Sequence, residues 1–166
     1  DVDFRVESNG RTHALMVDAG NNSVLFGDLQ TAQTNGGTNS SVQIEGTDAT
    51  ASLSIFRNGD DANGAAIFLG KSRGTSLGSN TVVQNGDELG KILFVAADGT
   101  DRAHSAGAIV CSMNDNAGSN DLPTRLSFFV ATDSTTTLTE RMRIGEENGA
   151  VMFGPNFNID PVSTNQ

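Results

Sequence analysis

From Leu122 to Gly154 the chain runs Leu-Pro-Thr-Arg-Leu-Ser-Phe-Phe-Val-Ala-Thr, then Leu138-Thr-Glu-Arg-Met-Arg-Ile, then Asn148-Gly-Ala-Val-Met-Phe-Gly154. A proline-broken turn, an apolar strand, a Ser/Thr-rich tip, a second strand and an Asn-Gly turn follow one another without a gap. Such a sequence specifies stacked β-hairpins. The same two-residue period recurs in Asp3–Glu7, Val42–Glu45 and Ala51–Arg57, where apolar side chains fall on one face and polar ones on the other. Ala65–Leu69, Lys91–Ala96 and Ala108–Cys111 are more continuously apolar, as strands covered on both faces or at a subunit junction are. No window keeps the i, i+3, i+4, i+7 spacing of an amphipathic helix over three turns. The expected fold is all-β.

Turn chemistry agrees. Asn9-Gly10, Asn58-Gly59, Asn63-Gly64, Asn85-Gly86, Asp98-Gly99 and Asn148-Gly149 are the dipeptides of type I′ hairpin turns, in which both central residues take positive φ. Leu15–Gly27 aligns without gaps on Met142–Gly154, with apolar residues matched at Leu15/Met142, Val17/Ile144, Val24/Val151, Leu25/Met152 and Phe26/Phe153. A hairpin used twice suggests modular construction. The boundaries that follow are an N-terminal hairpin module at 1–27, a linker or loop at 28–40, a main β domain at 41–154 closing on the repeated hairpin, and a C-terminal tail at 155–166.

The composition narrows function by exclusion. Only 36% of residues are hydrophobic and 18% charged, with 19 Gly and 3 Pro, so small polar residues supply turns and wet strand faces instead of forming a charged disordered chain. So little apolar content makes a monomer marginal, and a core shared between subunits is expected. The net charge of −10 repels phosphate backbones and anionic lipid, so neither nucleic acid nor membrane insertion is expected. All nine aromatics are Phe, which suits a dry core better than a stacking surface. Cys111 lies in an apolar strand and reads as a small buried hydrophobe. The chain opens at Asp1 without Met, and a piece of something longer is expected.

No constellation specifies catalysis. The candidate carboxylate pairs, Asp60-Asp61, Asp98 with Asp101 and Glu146-Glu147, all fall in turns beside Gly or Asn, where solvated acids are common. His13 and His104 stand far apart, and with one cysteine they make no metal-ligand spacing. Asn58–Gly64 lacks the acidic spacing of a calcium loop. Arg125, Arg141 and Arg143 form a small basic group, the last two on one strand face, read as partners for acidic neighbours. No cofactor is expected. The exposed turns remain as binding candidates: Asn58, Asp60, Asp61 and Asn63 in one, and Asn114, Asp115 and Asn116 in another.

Gly86-Asp-Glu-Leu-Gly-Lys-Ile-Leu-Phe94, Asp98-Gly99, Ala108-Ile109, Asp121-Leu-Pro-Thr-Arg-Leu-Ser-Phe128, Thr132 and Thr139-Glu-Arg-Met-Arg-Ile144 follow in order. This succession resembles the region just upstream of the intramolecular-chaperone domain in phage tail fibres and tailspikes. Phe4-Arg-Val-Glu-Ser-Asn-Gly10 resembles another module of the same proteins. Val-Met-Phe-Gly154 replaces the more usual V-x-I-G closure, a hydrophobic swap, and no chaperone domain follows in this sequence. The resemblance implies an elongated, hairpin-rich fibre of β-sandwich or β-prism modules, intertwined as a homotrimer. It implies a virion, extracellular location, contacts with other tail proteins, and a non-enzymatic structural role that meets a host-surface glycan or protein. The alternatives are a polysaccharide-degrading tailspike segment and a purely structural virion or surface-adhesin fibre. Within the fibre reading, Leu53, Ile55, Phe68, Ile92, Phe94, Leu126 and Phe128 are expected to pack inward and across chains.

Overall fold

A computed structural model of the chain describes residues 2–49, 51–145 and 151–154. The protein is all-β, with no helix among the described residues and eleven strands. It divides into two compact units, Asp1–Ile67 with Ala97–His104, and Phe68–Ala96 with Ser105–Gln166.

In the first unit, β1 (Phe4–Ser8), β2 (Arg11–Asp18), β3 (Ser23–Phe26) and β6 (Val42–Ile44) form one sheet in that order. The β1–β2 turn is Asn9-Gly10, but only Gly10 takes positive φ (97°), so the turn is not type I′. A register slip between Val6 and Ser8 absorbs the difference in twist. β6 joins β3 in parallel, Leu25 opposite Gln43. The segment expected as a linker at 28–40 holds a further hairpin, β4 (Thr34–Asn35) with β5 (Thr38–Asn39). There Gly36 and Gly37 both take positive φ (60° and 77°), the pattern a type I′ turn requires.

Polar side chains hold this unit together. The buried Asp18 accepts hydrogen bonds from the Asn21 amide N–H (3.0 Å), Asn21 Nδ2 (2.8 Å) and the Ala32 N–H (2.9 Å). Gln43, also buried, acts as a side-chain stand-in for a strand: its Oε1 accepts from the Gln33 N–H at 2.9 Å and its Nε2 donates to the Gln33 carbonyl at 2.8 Å. Buried polar groups partnered in this way avoid the desolvation cost of an unmade hydrogen bond.

The second unit is a five-stranded antiparallel sheet in the order β11-β10-β9-β8-β7. Its strands are β7 (Glu88–Val95), β8 (Ser105–Met113), β9 (Thr124–Ala131), β10 (Leu138–Ile144) and β11 (Val151–Phe153). Met142 pairs with Phe153, Arg143 with Met152 and Ile144 with Val151. The matching positions of the N-terminal hairpin pair likewise, Leu15 with Phe26, Met16 with Leu25 and Val17 with Val24. A bulge between Glu140 and Met142 breaks the alternation at Arg141, so Arg141 and Arg143 do not follow the simple one-face rule.

Ala51–Arg57 and Ala65–Leu69 do not form strands; no residue from 51 to 70 belongs to one. Their alternation is strand-like, but among the described residues they complete no hydrogen-bonded ladder with another segment. Gly59 and Gly64 accordingly do not take the positive φ of hairpin turns. Within the single chain, the residues expected to pack inward and across chains are mostly open. The buried hydrophobic residues are Met16, Leu25, Val83, Ala108 and Met113, whereas Leu53, Ile55, Phe68, Ile92 and Phe94 are exposed and Leu126 and Phe128 half-buried. Glu146-Glu147, Asn148-Gly149 and the tail at 155–166 lie outside the described residues.

Candidate functional site

The exposed turns were the sequence candidates, and they separate into two groups, one in each unit. In the first, Asn58, Asp60, Asp61 and Asn63 are all exposed. Asp61 is held in a bidentate pair by Arg57, with Nη1 to Oδ1 at 2.8 Å and Nη2 to Oδ2 at 2.5 Å. Its Oδ1 also accepts the Asn63 N–H at 2.8 Å. The Arg57 guanidinium and then the Asn63 amide hold the Asp61 carboxyl below its ordinary value. Asp61 therefore shapes the loop, and Asn58, Asp60 and Asn63 stand exposed around it. Nearby, Leu53, Ile55, Ala65, Ala66 and Ile67 line a shallow apolar depression of about 300 Å³.

In the second unit, Asn114, Asp115 and Asn116 begin the β8–β9 connection, which closes through a bridge between Gly118 and Asp121. Asn114 is half-buried: its N–H donates to the Pro123 carbonyl (2.8 Å) and its Oδ1 accepts from Arg125 Nη1 (3.1 Å). Asn116 Oδ1 accepts the Asn85 N–H (3.1 Å), and Asp115 Oδ1 accepts the Asn116 N–H (2.7 Å). Two of the three candidates thus brace neighbouring backbone. Beside them, Lys71, Asn80, Thr81, Val83, Gly118 and Leu122 border a second, more polar depression of about 320 Å³. The same unit holds a contact that the sequence did not reveal, Arg73 to Asp87, with Nε–Oδ2 at 2.7 Å and Nη2–Oδ1 at 2.8 Å. That guanidinium, helped by the Gln84 N–H, holds the Asp87 carboxyl down at about 2.

Asp98, Asp101 and His104 bring one ligand atom each within 4.8 Å of the others, all three exposed. His104 Nδ1 lies 3.8 Å from Asp98 Oδ2 and 3.8 Å from Asp101 Oδ1. The carboxylates already have work. Asp98 Oδ1 accepts the N–H groups of Thr100 (2.8 Å) and Asp101 (3.1 Å), and Asp101 Oδ1 accepts that of Ala103 (2.8 Å). The Thr100 and Asp101 amides hold the Asp98 carboxyl below its ordinary value. A glycan-cleaving acid needs the opposite, a carboxyl kept protonated near neutral pH. His13 sits in β2, its backbone N–H on Asp28 Oδ1 at 3.1 Å and its Nδ1 3.0 Å from Thr12 Oγ1. Arg143 pairs with Glu140 at 2.9 Å, as its sequence reading held. Cys111 is half-buried on β8.

No known family model matches the sequence, and no curated protein matches it. In fold, the chain resembles the carboxy-terminal domain of the bacteriophage T5 L-shaped tail fibre. The TM-score is 0.64 over 87% of this chain, at 12% identity. The chain spans 60% of that solved chain's length. No helix among the described residues is long and apolar enough to cross a membrane.

Proposed function

We propose that the chain is a structural segment of a bacteriophage tail fibre, a homotrimer in the virion that works beside other tail proteins and meets a host-surface glycan or protein through its exposed turns, without catalysing a reaction. The observation that carries this reading is the fold-level likeness to a tail-fibre domain over most of the chain. The ordered resemblance from Gly86 to Ile144 supports it independently, because it comes from residues and not from backbone shape. Large hydrophobic residues left open along 51–69 suit a chain that completes its packing against other copies.

Asn58, Asp60 and Asn63 are the better contact candidates of the two groups, since the side chains of Asp61, Asn114 and Asn116 are engaged by Arg57, Arg125 and the Asn85 N–H. Solvated amide and carboxylate groups make weak hydrogen bonds individually, and three copies on one rigid assembly raise the avidity. The reading is tested by light scattering on the purified chain. Three copies of 17.3 kDa give about 52 kDa; a 17.3 kDa particle at micromolar concentration would defeat it. The contact role is tested by replacing Asn58, Asp60 and Asn63 together with alanine. Binding of the labelled protein to host cells should fall by tenfold or more (~1.4 kcal/mol), and unchanged binding would remove these turns from the contact surface.

A further inference from the structure

Six Asn-Gly dipeptides recur along the chain, at Asn9, Asn35, Asn58, Asn63, Asn85 and Asn148, and the fold gives them different surroundings. An asparagine followed by glycine is chemically fragile. The backbone nitrogen of the following residue can attack the side-chain carbonyl carbon, and glycine has no Cβ to hinder the approach. The attack needs that nitrogen free of a hydrogen bond and a backbone able to turn toward the side chain. Where either is lacking, the segment must first open, and the reaction slows by the cost of opening.

Asn148-Gly149 lies outside the described residues, and the other dipeptides separate on these two requirements. The Gly36 N–H donates to the Arg102 carbonyl at 2.8 Å, and the Gly86 N–H to the Met113 carbonyl at 3.2 Å. Gly10 sits in a two-residue turn clamped by the Ser8–Arg11 pair of β1 and β2. Gly59 lies against the Arg57 guanidinium, whose Nη2 would stand 3.5 Å from a Cβ there. Gly64 is open on every count. Its N–H has no hydrogen-bond partner among the described residues, and nothing lies within 4 Å of where a Cβ would stand. Every residue from 51 to 70 is exposed and outside a strand. The loop is anchored just ahead of this bond, where Asp61 Oδ1 accepts the Asn63 N–H at 2.8 Å.

We propose that Asn63 deamidates spontaneously in the folded chain, through the backbone nitrogen of Gly64. Hydroxide removes the Gly64 N–H proton, the nitrogen bonds to Asn63 Cγ, and the Cγ–Nδ2 bond breaks as ammonia leaves with a proton from water. The product is a five-membered succinimide. Water then opens it at either carbonyl, giving aspartate, or isoaspartate with an extra carbon in the backbone. The net change converts an amide and water to a carboxylate and ammonium, with nothing oxidised or reduced. The new carboxylate stands beside the Asp61 loop of a chain whose net charge is already −10. This chemistry does not depend on the fibre reading, but its consequence does. On the contact role given above to Asn58, Asp60 and Asn63, deamidation takes an amide donor from the turn and adds a charge to it.

The experiment incubates the full chain at mildly alkaline pH, folded and in guanidinium, and maps tryptic peptides over time by tandem mass spectrometry. Cleavage after Arg57 and Lys71 leaves Asn58 and Asn63 in one peptide, where fragment ions separate them. In the folded chain Asn63 should lose its amide about tenfold or more faster than Asn35 and Asn85, and in guanidinium the rates should draw together. Gly64→Ala, at an open position, should slow the loss at Asn63 by about tenfold and leave Asn58 at its own rate. An Asn63 that keeps its amide as long as Asn85 in the folded chain overturns the proposal, as does a ranking that denaturation leaves unchanged. Aged and fresh protein are then compared for binding to host cells. Weaker binding by the aged protein supports the contact role, whereas full conversion of Asn63 with unchanged binding leaves the modification standing and removes Asn63 from the contact surface.

Discussion

Residues 2–45 and residues 51–69 follow the same alternating pattern and end in opposite states. The first stretch pairs strand on strand, buries Met16 and Leu25, and fixes its turns with the side chains of Asp18 and Gln43. The second contains Leu53, Ile55, Phe56, Ile67, Phe68 and Leu69, a denser apolar set, and leaves all of them exposed, Phe68 to 93%. Hydrophobicity does not separate the two. What separates them is a paired strand: β2 finds β1 across two residues and β3 across four, while 51–69 joins no strand ladder among the described residues. Alternation therefore states which way a strand's side chains would face, and says nothing about which chain supplies the neighbouring strand.

The largest test of this contrast is at Gly27. Its φ is 94°, and a Cβ there would run into the Glu45 carbonyl oxygen, where the chain leaves β6. Gly27→Val combines a forbidden backbone angle for a branched residue with a clash against backbone that cannot yield. It should cost about 3 kcal/mol or more in urea unfolding, and a cost below about 1 kcal/mol would mean that β3 and β6 are not joined as described. Gln43→Ala comes next. It strips both partners from the Gln33 backbone at a buried site and should cost about 2 kcal/mol, while Gln43→Glu, which keeps the acceptor and loses the donor, should fall between alanine and wild type.

How much of this was legible differs between the two stretches for the same reason. The strands at Phe4–Ser8, Val42–Ile44, Glu88–Val95 and Ser105–Met113 could be read from period and turn residues, and all but Val42–Ile44, which joins β3 in parallel, meet an antiparallel partner a short distance along the chain. Ala51–Arg57 reads just as clearly as a strand and is not one here. Gln43 looked like the wet side of β6, since period-2 logic takes every polar residue to face solvent; only the fold shows the Gln33 backbone waiting behind it. The Gly36-Gly37 turn was hidden by its flanks, two-residue strands without one large apolar side chain. Among the contact candidates, exposure was readable from composition, but the structural duties of Asp61 and Asn114 depended on Arg57 and Arg125 being within reach.

Acid should divide the stretches again, more gently. Asp18 is held below the ordinary carboxyl value of 3.8, first by the Ala32 amide and then by Asn21. Asp61 is held below it by Arg57 and Asn63. A depressed folded value means that each carboxylate contributes stability fully above about 3.8 and loses it as the pH falls below that point. Asp18 ties β2 to a residue fourteen positions away, while Asp61 ties only its own loop. Unfolding midpoints measured from pH 5 down to about 2 should therefore drop for the wild type, and Asp18→Asn should flatten that drop more than Asp61→Asn. Equal flattening would mean that the 57–63 loop bears on global stability after all.

The smallest expected effect is the most diagnostic for the open stretch. At Gly64 the backbone φ is ordinary for any residue, and nothing lies within 4 Å of where a Cβ would stand. Gly64→Ala should thus leave stability unchanged or raise it by up to about 0.5 kcal/mol, because alanine narrows the unfolded ensemble without meeting a neighbour. The chain by itself offers no source of a penalty at this position. A loss of about 2 kcal/mol that grows with protein concentration would have to come from another copy lying against 51–69, and would show that the stretch finds between chains the strand partner it lacks within one.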